Sequence, residues 1–430
     1  MKSAFLDRRG KIAGCFIPPG DKSISHRAVM LGSLAEGSSV FTHFLEAGDC
    51  LHTLKAFESL GVEAVHQPGT GRLRIEGRGL RSLTCPSGNL YLGNSGTSMR
   101  LLLGILAGQR FECTLSGDPS LSLRPMKRVV QPLKQMGAQI KGRDNGNFAP
   151  LMIRGGRLRG IEFENVLASA QVKSAILFAG LYAESVTRIT EPRPSRDHTE
   201  KLLIAAGAAF EQTGAGLMVR QTERLKPLSF EIPGDFSAAA FFIAAAAMIP
   251  GSDLTVENVG LNPLRTGMLD VLKRMGAVIE IHEKTGFPEP CGMIHVSGAR
   301  LRGTRITAHE IPGLIDELPA IMTVMALSEG ESLISGAEEL RVKETDRIMS
   351  LVGNLNVLGA QLQELPDGCL IRGVEQLQGG AVKSFGDHRT AMCMAVASLR
   401  CRGEIQIEDI ECVATSFPDF FTEFERLRVS

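Results

Sequence analysis

A chain of 430 residues is too long for one ordinary hydrophobic core and implies two or three domains. Its 47 Lys and Arg are matched by 47 Asp and Glu, so no net field draws it to nucleic acid or to a membrane surface. Any anion binding has to come from local clustering. The nine cysteines include no C-x-x-C pair and no Cys/His metal spacing, and an odd count points to reduced thiols in a cytoplasmic protein rather than to a disulfide framework. The longest strongly apolar run, AAAFFIAAAAMI at 238–249, is too short to span a bilayer, and MKSAFLDRRGKIAG at the N-terminus lacks the apolar stretch of a signal peptide.

In chain order, the first informative segment is Pro18-Pro19-Gly20-Asp21-Lys22-Ser23-Ile24-Ser25-His26-Arg27. A Pro/Gly turn delivers Lys22 and Ser23 to the start of a helical pattern, where exposed N–H groups already favour anions. Arg27, four residues after Ser23, falls on the same helix face. The plain alternative is a capped helix with solvated charges. It is not a Walker A loop, because Asp21 stands where a Gly should precede the Lys. Similar polar helix starts follow at Leu92–Arg100 (LGNSGTSMR), Gly117–Met126 (GDPSLSLRPM), Ser169-Ala170-Gln171-Val172-Lys173, Ser195-Arg196-Asp197-His198, Ile315-Asp316-Glu317, Arg341–Arg347 (RVKETDR) and Gly386-Asp387-His388-Arg389. Pro233-Gly234-Asp235-Phe236-Ser237 echoes the first of them. If Arg341–Arg347 is helical, Lys343 and Arg347 form a like-charged i,i+4 pair, which suits two cations converging on an external anion; the plain alternative is a solvated face on which Glu344 and Arg347, opposed at i,i+3, compensate. Asp316 reads either as an N-cap of the following apolar helix or as a functional carboxylate.

An internal repeat underlies these starts. A helix ending in Gly followed by a strand recurs five times, at Gly61, Gly137, Gly207, Gly276 and Gly359, each glycine suited to a left-handed helix end. FPDFFTEFERL reads as the helix of a sixth unit cut short by the chain end. Six Ala-rich apolar helices accompany the repeat, so a Rossmann sheet is disfavoured, and no G-x-G-x-x-G follows a strand.

Together PGDKSISHR, LGNSGTSMR, ASAQVKSA, RVKETDR, GDHRTAM and TSFPDF, in this order between about residues 11 and 421, resemble the 5-enolpyruvylshikimate-3-phosphate synthase family. The resemblance implies an α/β fold of two similar domains, each of three βαβαββ-like units with helices inside and sheets outside, an inside-out α/β barrel. One domain would comprise 1–19 plus 236–430 and the other 20–235, with crossings near 20 and 235. It further implies transfer of the enolpyruvyl group of phosphoenolpyruvate to the 5-hydroxyl of shikimate 3-phosphate, with release of phosphate, in a cleft between the domains. No cofactor or metal is implied, nor a nucleic-acid or membrane partner, and the chain would be a monomer. Each substrate carries roughly two and a half to three negative charges, which explains the need for clustered cations.

By motif position, Lys22, Ser23, Arg27, Ser169, Ala170, Gln171, Arg196, Asp316 and Lys343 resemble shikimate 3-phosphate contacts. Lys22, Gly96, Arg124, Gln171, Arg347 and Arg389 resemble phosphoenolpyruvate contacts, where planar guanidinium forks match carboxylate and phosphate oxygens. Asp316 resembles the base for the 5-hydroxyl, Glu344 the acid that protonates the methylene carbon, and Lys22 a group that assists the leaving phosphate, although the Asp316 and Glu344 labels are exchangeable. Among so many cations an exposed Asp should stay ionised, which suits a base. Thr415 stands where many relatives carry a Lys, and Gly96 leaves room for the inhibitor glyphosate. The related UDP-N-acetylglucosamine enolpyruvyl transferases are a second reading, but they carry Lys-Asn where this chain has Lys22-Ser23. A non-catalytic anion-binding scaffold is a third, and the presence of both Asp316 and Glu344 weighs against it. Repulsion between the cations of the two halves predicts an open unliganded form, so adding shikimate 3-phosphate should lower the radius of gyration in solution scattering, and an unchanged radius would contradict this.

Overall fold

The computed structural model describes residues 2–6, 10–214, 216–284 and 286–429. The outermost residues of the expected terminal domain, Met1 and Ser430, and residues 7–9 of the N-terminal segment lie outside this range. The chain divides into two compact units. One is Gly20–Ile232 with Phe287–Glu289, and the other is Met1–Pro19, Pro233–Gly286 and Pro290–Ser430.

The first unit contains three four-stranded sheets of one topology. Glu112–Ser116 pairs in parallel with Leu90–Tyr91 and antiparallel with Phe148–Arg154, which pairs antiparallel with Gln139–Gly142. Thr187–Thr190 and Glu36–Thr42 take the equivalent place in the other two sheets. In the second unit, Glu331–Ile334 and Asp253–Gly260 again pair with one parallel and one antiparallel strand. The sixth sheet is short. Cys401–Glu408 pairs in parallel with Leu377–Lys383 and takes its antiparallel partner, Ser3–Leu6, from the other end of the chain. The last helix, Phe420–Leu427, packs on the strand Lys11–Phe16, against which Arg428–Val429 also pairs.

At two places a strand and the helix that follows it belong to different units. Lys11–Phe16, just before the helix that begins at Lys22, pairs with Asp253–Gly260 of the second unit. Ser229–Glu231, just before the helix that begins at Phe236, pairs with Glu36–Thr42 of the first. Because each strand finishes a sheet of one unit and its following helix enters the other, the chain passes between units at both places.

Six helices fill the interiors, three to a unit: Lys22–Leu34, Gly96–Ala107 and Ala170–Gly180, then Phe236–Met248, Leu318–Ala326 and His388–Ser398. Every residue of Phe236–Met248 and of Leu318–Ala326 is buried. Such helices are apolar all round because they have no solvent face. Their small residues let backbones meet. A Cβ on Gly104 would lie 2.1 Å from the carbonyl oxygen of Ala175 on the neighbouring helix. The second helix of each repeat lies nearer the outside and is amphipathic, as in Lys127–Met136 and Gly267–Met275. All five helix-ending glycines have positive φ, from 73° at Gly207 to 115° at Gly137, the conformation in which a Cβ is penalised. Among the described residues no helix is long and apolar enough to cross a membrane.

Gly104→Ala should push the Gly96 and Ala170 helices apart. We expect it to lower unfolding free energy by about 1–3 kcal/mol in urea titration, and an unchanged midpoint would contradict the close backbone contact.

Candidate active site

Two polar clusters lie at the N-termini of the buried helices, one in each unit. In the first unit, Asp21 caps the Lys22–Leu34 helix, its carboxylate accepting from the Ile24 N–H at 2.9 Å. Lys22, the first helical residue, forms an ion pair with the buried Asp49. Arg27 is buried one turn on. Its Nε donates to Thr199 Oγ1 at 2.6 Å, its Nη1 to the Ser23 carbonyl at 2.8 Å and its Nη2 to Ser174 Oγ at 2.9 Å. Those partners are neutral, so burial draws its pKa down to about 10, opposed by Glu200 and reinforced by the nearby Arg196. His26, also buried, is held well below its ordinary pKa by burial and then by Lys22 and Arg27. Its Nδ1 lies 2.7 Å from Thr53 Oγ1.

Ser95 caps the Gly96–Ala107 helix and Ser169 caps the Ala170–Gly180 helix. Gln171 joins the two starts. Its Oε1 accepts from Arg100 Nη1 at 2.6 Å and its Nε2 donates to Thr97 Oγ1 at 2.9 Å. Arg124 follows the short helical turn Leu121–Leu123 and donates to Asn94 and Ser120. A Cβ on Gly96 would lie 2.9 Å from Arg100 Nη1 and 3.3 Å from Arg124 Nη1. Gly96 is therefore the gap into which two guanidinium groups fit. The structure thus brings Lys22, Ser23, Arg27 and Arg196 into one neighbourhood and Gly96, Arg124, Ala170 and Gln171 into another within the same unit.

In the second unit, Arg341–Arg347 is not one helix. A short 3-10 segment, Glu338–Val342, ends at Lys343, whose backbone is extended, and a new helix, Arg347–Val357, is capped by Asp346. Lys343 and Arg347 are therefore not an i,i+4 pair on one helix, and their proximity comes from the turn between them. Arg347 is almost fully buried. Its Nε donates to Asp387 Oδ2 at 2.7 Å and its Nη2 to Glu344 Oε2 at 2.7 Å, while Nη1 lies 3.6 Å from Asp316 Oδ1 and makes no hydrogen bond with described residues. Burial alone would lower its pKa, but Asp387 and Glu344 outweigh that and hold it above the ordinary value. Asp316 is not the cap of the next helix. Glu317 occupies that position, and the Asp316 carboxylate faces Lys343 Nζ at 3.7 Å as well as Arg347. Arg389, at the start of the His388–Ser398 helix, donates through Nη1 to the Asp316 carbonyl. Asp387 caps that helix at the Arg389 N–H, 2.8 Å away, so one carboxylate holds both arginine segments. Thr415 closes a local turn, donating to the Cys412 carbonyl at 2.7 Å.

The sequence assigned no role to Arg100, Asp49, Asn94 or Asp387. Arg100 and Asp387 sit inside recognised helix starts, so a rule of one polar residue per turn would have found them. Asp49 carries no such signal, being 27 residues from Lys22 in the chain. Removing the charge at the centre of the second cluster, as in Arg347→Met, should cost about 3–5 kcal/mol of stability in denaturant unfolding, because it leaves the buried Asp387 carboxylate without its cation. A loss under 1 kcal/mol would contradict that arrangement.

Among the described residues no group of His, Cys, Asp and Glu is arranged to hold a metal ion. Residues 6–424 match the family described as EPSP synthase (3-phosphoshikimate 1-carboxyvinyltransferase). A 3-phosphoshikimate 1-carboxyvinyltransferase of Desulforamulus reducens is 48% identical over 411 residues, covering 95% of this chain and 96% of that protein. The solved EPSP synthase of Acinetobacter baumannii is 42% identical with a TM-score of 0.87, covering 100% of this chain and 98% of that one. The enolpyruvyl transferase NikO of Streptomyces tendae, 16% identical, shares the fold at a TM-score of 0.78 over 98% of this chain and 96% of that one. With its two clusters of cations and carboxylates at buried helix starts and this likeness along nearly its whole length, the chain belongs to the EPSP synthase family, the 3-phosphoshikimate 1-carboxyvinyltransferases.

Proposed function

We propose that this enzyme transfers the enolpyruvyl group of phosphoenolpyruvate to the 5-hydroxyl of shikimate 3-phosphate, releasing phosphate, by addition and elimination through a tetrahedral intermediate. The single observation that carries the reading is Arg347. It is a buried guanidinium shared by Glu344 and Asp387, with Asp316 beside a donor that has no hydrogen-bond partner among described residues. A buried donor left so is costly unless an external acceptor completes it, and a substrate carboxylate or phosphate oxygen would do so.

In this reading Lys22, Gly96, Arg124, Gln171, Arg347 and Arg389 receive phosphoenolpyruvate. Lys22, Ser23, Arg27, Ser169, Ala170, Gln171, Arg196, Asp316 and Lys343 receive shikimate 3-phosphate. Glu344 delivers a proton to C3 of phosphoenolpyruvate as the 5-hydroxyl oxygen bonds to C2. Asp316, facing Lys343 and Arg347, takes the hydroxyl proton. Lys22 then supports departure of phosphate as its bond to C2 breaks, the C3 proton returns to Glu344 and the proton held by Asp316 leaves with the phosphate. The two compact units are read as the family's two domains, near 1–19 with 236–430 and 20–235 apart from residues 233–235 and 287–289, each an inside-out set of three βαβαββ-like units. No cofactor enters, the chain acts as a cytoplasmic monomer, and no observation favours a UDP-N-acetylglucosamine acceptor.

The test is phosphate release from phosphoenolpyruvate with either acceptor. Release should depend on shikimate 3-phosphate and be absent with UDP-N-acetylglucosamine; the reverse pattern would overturn the reading. Asp316→Asn and Glu344→Gln should each lower kcat by about 10²–10⁴-fold, and near-parental rates would remove them from proton transfer. Because a Cβ at Gly96 meets two guanidinium groups, Gly96→Ala should raise the inhibition constant for glyphosate. An unchanged constant would refute the steric argument.

A further inference from the structure

The second Pro-Gly-Asp-x-Ser turn is not used by the proposed reaction, yet it is built like the first. Asp235 caps the Phe236–Met248 helix, its carboxylate accepting from the Ser237 N–H at 2.8 Å. Where the first turn supplies Lys22, this one has Phe236, and the cation comes from Arg265, whose Nη2 donates to Asp235 Oδ1 at 2.8 Å and to Ser237 Oγ at 2.9 Å. All three polar residues are buried. An anion site of this kind would be expected to hold an anion, and it does: Ser237 Oγ donates to the carboxylate of Glu317, itself 2% exposed.

Glu317 is the residue after Asp316 and stands at the N-cap of Leu318–Ala326. A short Asp, Asn, Ser or Thr side chain there ordinarily bonds to the first helical N–H groups. Glu317 makes no such cap and reaches away to Ser237 instead. A carboxylate buried at a serine hydroxyl that itself accepts from Arg265 is held far more firmly than an exposed one, because leaving it unpaired there is costly. Neighbouring Cα atoms are about 3.8 Å apart, so fixing Glu317 also fixes the Asp316 backbone. Arg389 holds the Asp316 carbonyl, and the Glu317 N–H donates to the Leu314 carbonyl at 2.9 Å.

We infer that Glu317 is a positioning residue: docked into the second Pro-Gly-Asp-x-Ser turn, it sets the place of the Asp316 carboxylate opposite Lys343 and Arg347. The inference rests on the reading of Asp316 as the group that takes the hydroxyl proton. It gives the repeated turn two uses, the first copy receiving substrate anions and the second an anion of the chain itself.

The experiment compares parent, Asp316→Asn, Glu317→Ala, Glu317→Gln and Ser237→Ala in phosphate release with both substrates varied, with urea unfolding of each. Glu317→Ala should lower kcat roughly ten- to hundredfold, the scale of a small misplacement of a reacting group. KM for both substrates should stay within about threefold of the parent. Glu317→Gln, which keeps an acceptor for Ser237, should recover most of the rate. A purely structural role would lower stability and the amount of active enzyme alike in both variants without this rescue. A Glu317→Ala kcat within twofold of the parent, or a Gln variant as slow as the Ala variant, overturns the inference. If Glu317→Ala does not fold, Ser237→Ala is read in its place: a kcat loss at constant KM supports the inference and parental kcat overturns it. If Asp316→Asn turns over like the parent, it is the role of Asp316 that fails. If only Asp316→Asn is slow, the positioning by Glu317 fails and the role of Asp316 stands.

Discussion

Close packing of small-faced helices is the constraint from which the rest of this structure follows. Gly104 against the Ala175 carbonyl shows how near the backbones come, and Phe236–Met248 and Leu318–Ala326 have no exposed residue at all. A helix buried on every side has nowhere along its length to carry polar chemistry. Only its ends remain, and there the unsatisfied N–H groups demand acceptors. The polar residues therefore collect at the helix starts, where Asp21, Ser95, Ser169, Asp235 and Asp387 act as caps and Lys22, Gln171 and Arg389 sit within the first turn.

Cations gathered this way must be fixed in place, and Arg27 and Arg347 are fixed differently in the two units. Arg27 is surrounded by hydroxyl and carbonyl oxygens, and with no carboxylate bonded to it burial lowers its pKa to about 10. Arg347 is fixed by Asp387 and Glu344 and is stabilised as a cation. A dianionic ligand would find in the first a charge with little to displace. In the second it would find a fork already oriented, with one face given over to carboxylates that belong to the proposed chemistry. Asp387 extends this economy by serving both Arg347 and the backbone of Arg389.

Much of the architecture was legible because repetition in sequence is repetition in folding. The five glycines at 61, 137, 207, 276 and 359 all adopt the left-handed backbone expected of helix ends, since that requirement is local to the turn. The six Ala-rich helices are interior for the same reason: their composition leaves no polar face to expose. Asp316 and Arg341–Arg347 were harder. The helical periodicity of RVKETDR is broken at Lys343, and Asp316 yields the cap position to Glu317, because each answers to partners brought from elsewhere in the chain.

By itself the sequence determined what depends on neighbours along the chain: the repeat, the capped helix starts, the helix-ending glycines and the family to which the motifs belong. Tertiary structure alone decided which distant strands pair at the two crossings, that Asp49 would meet Lys22, that Gly96 would be the gap for Arg100 and Arg124, and that Glu317 would fill the second turn. The physical reason is range. Capping and backbone preference act within a turn or so, whereas a buried charge is stabilised by whatever partner the packing of distant segments sets beside it.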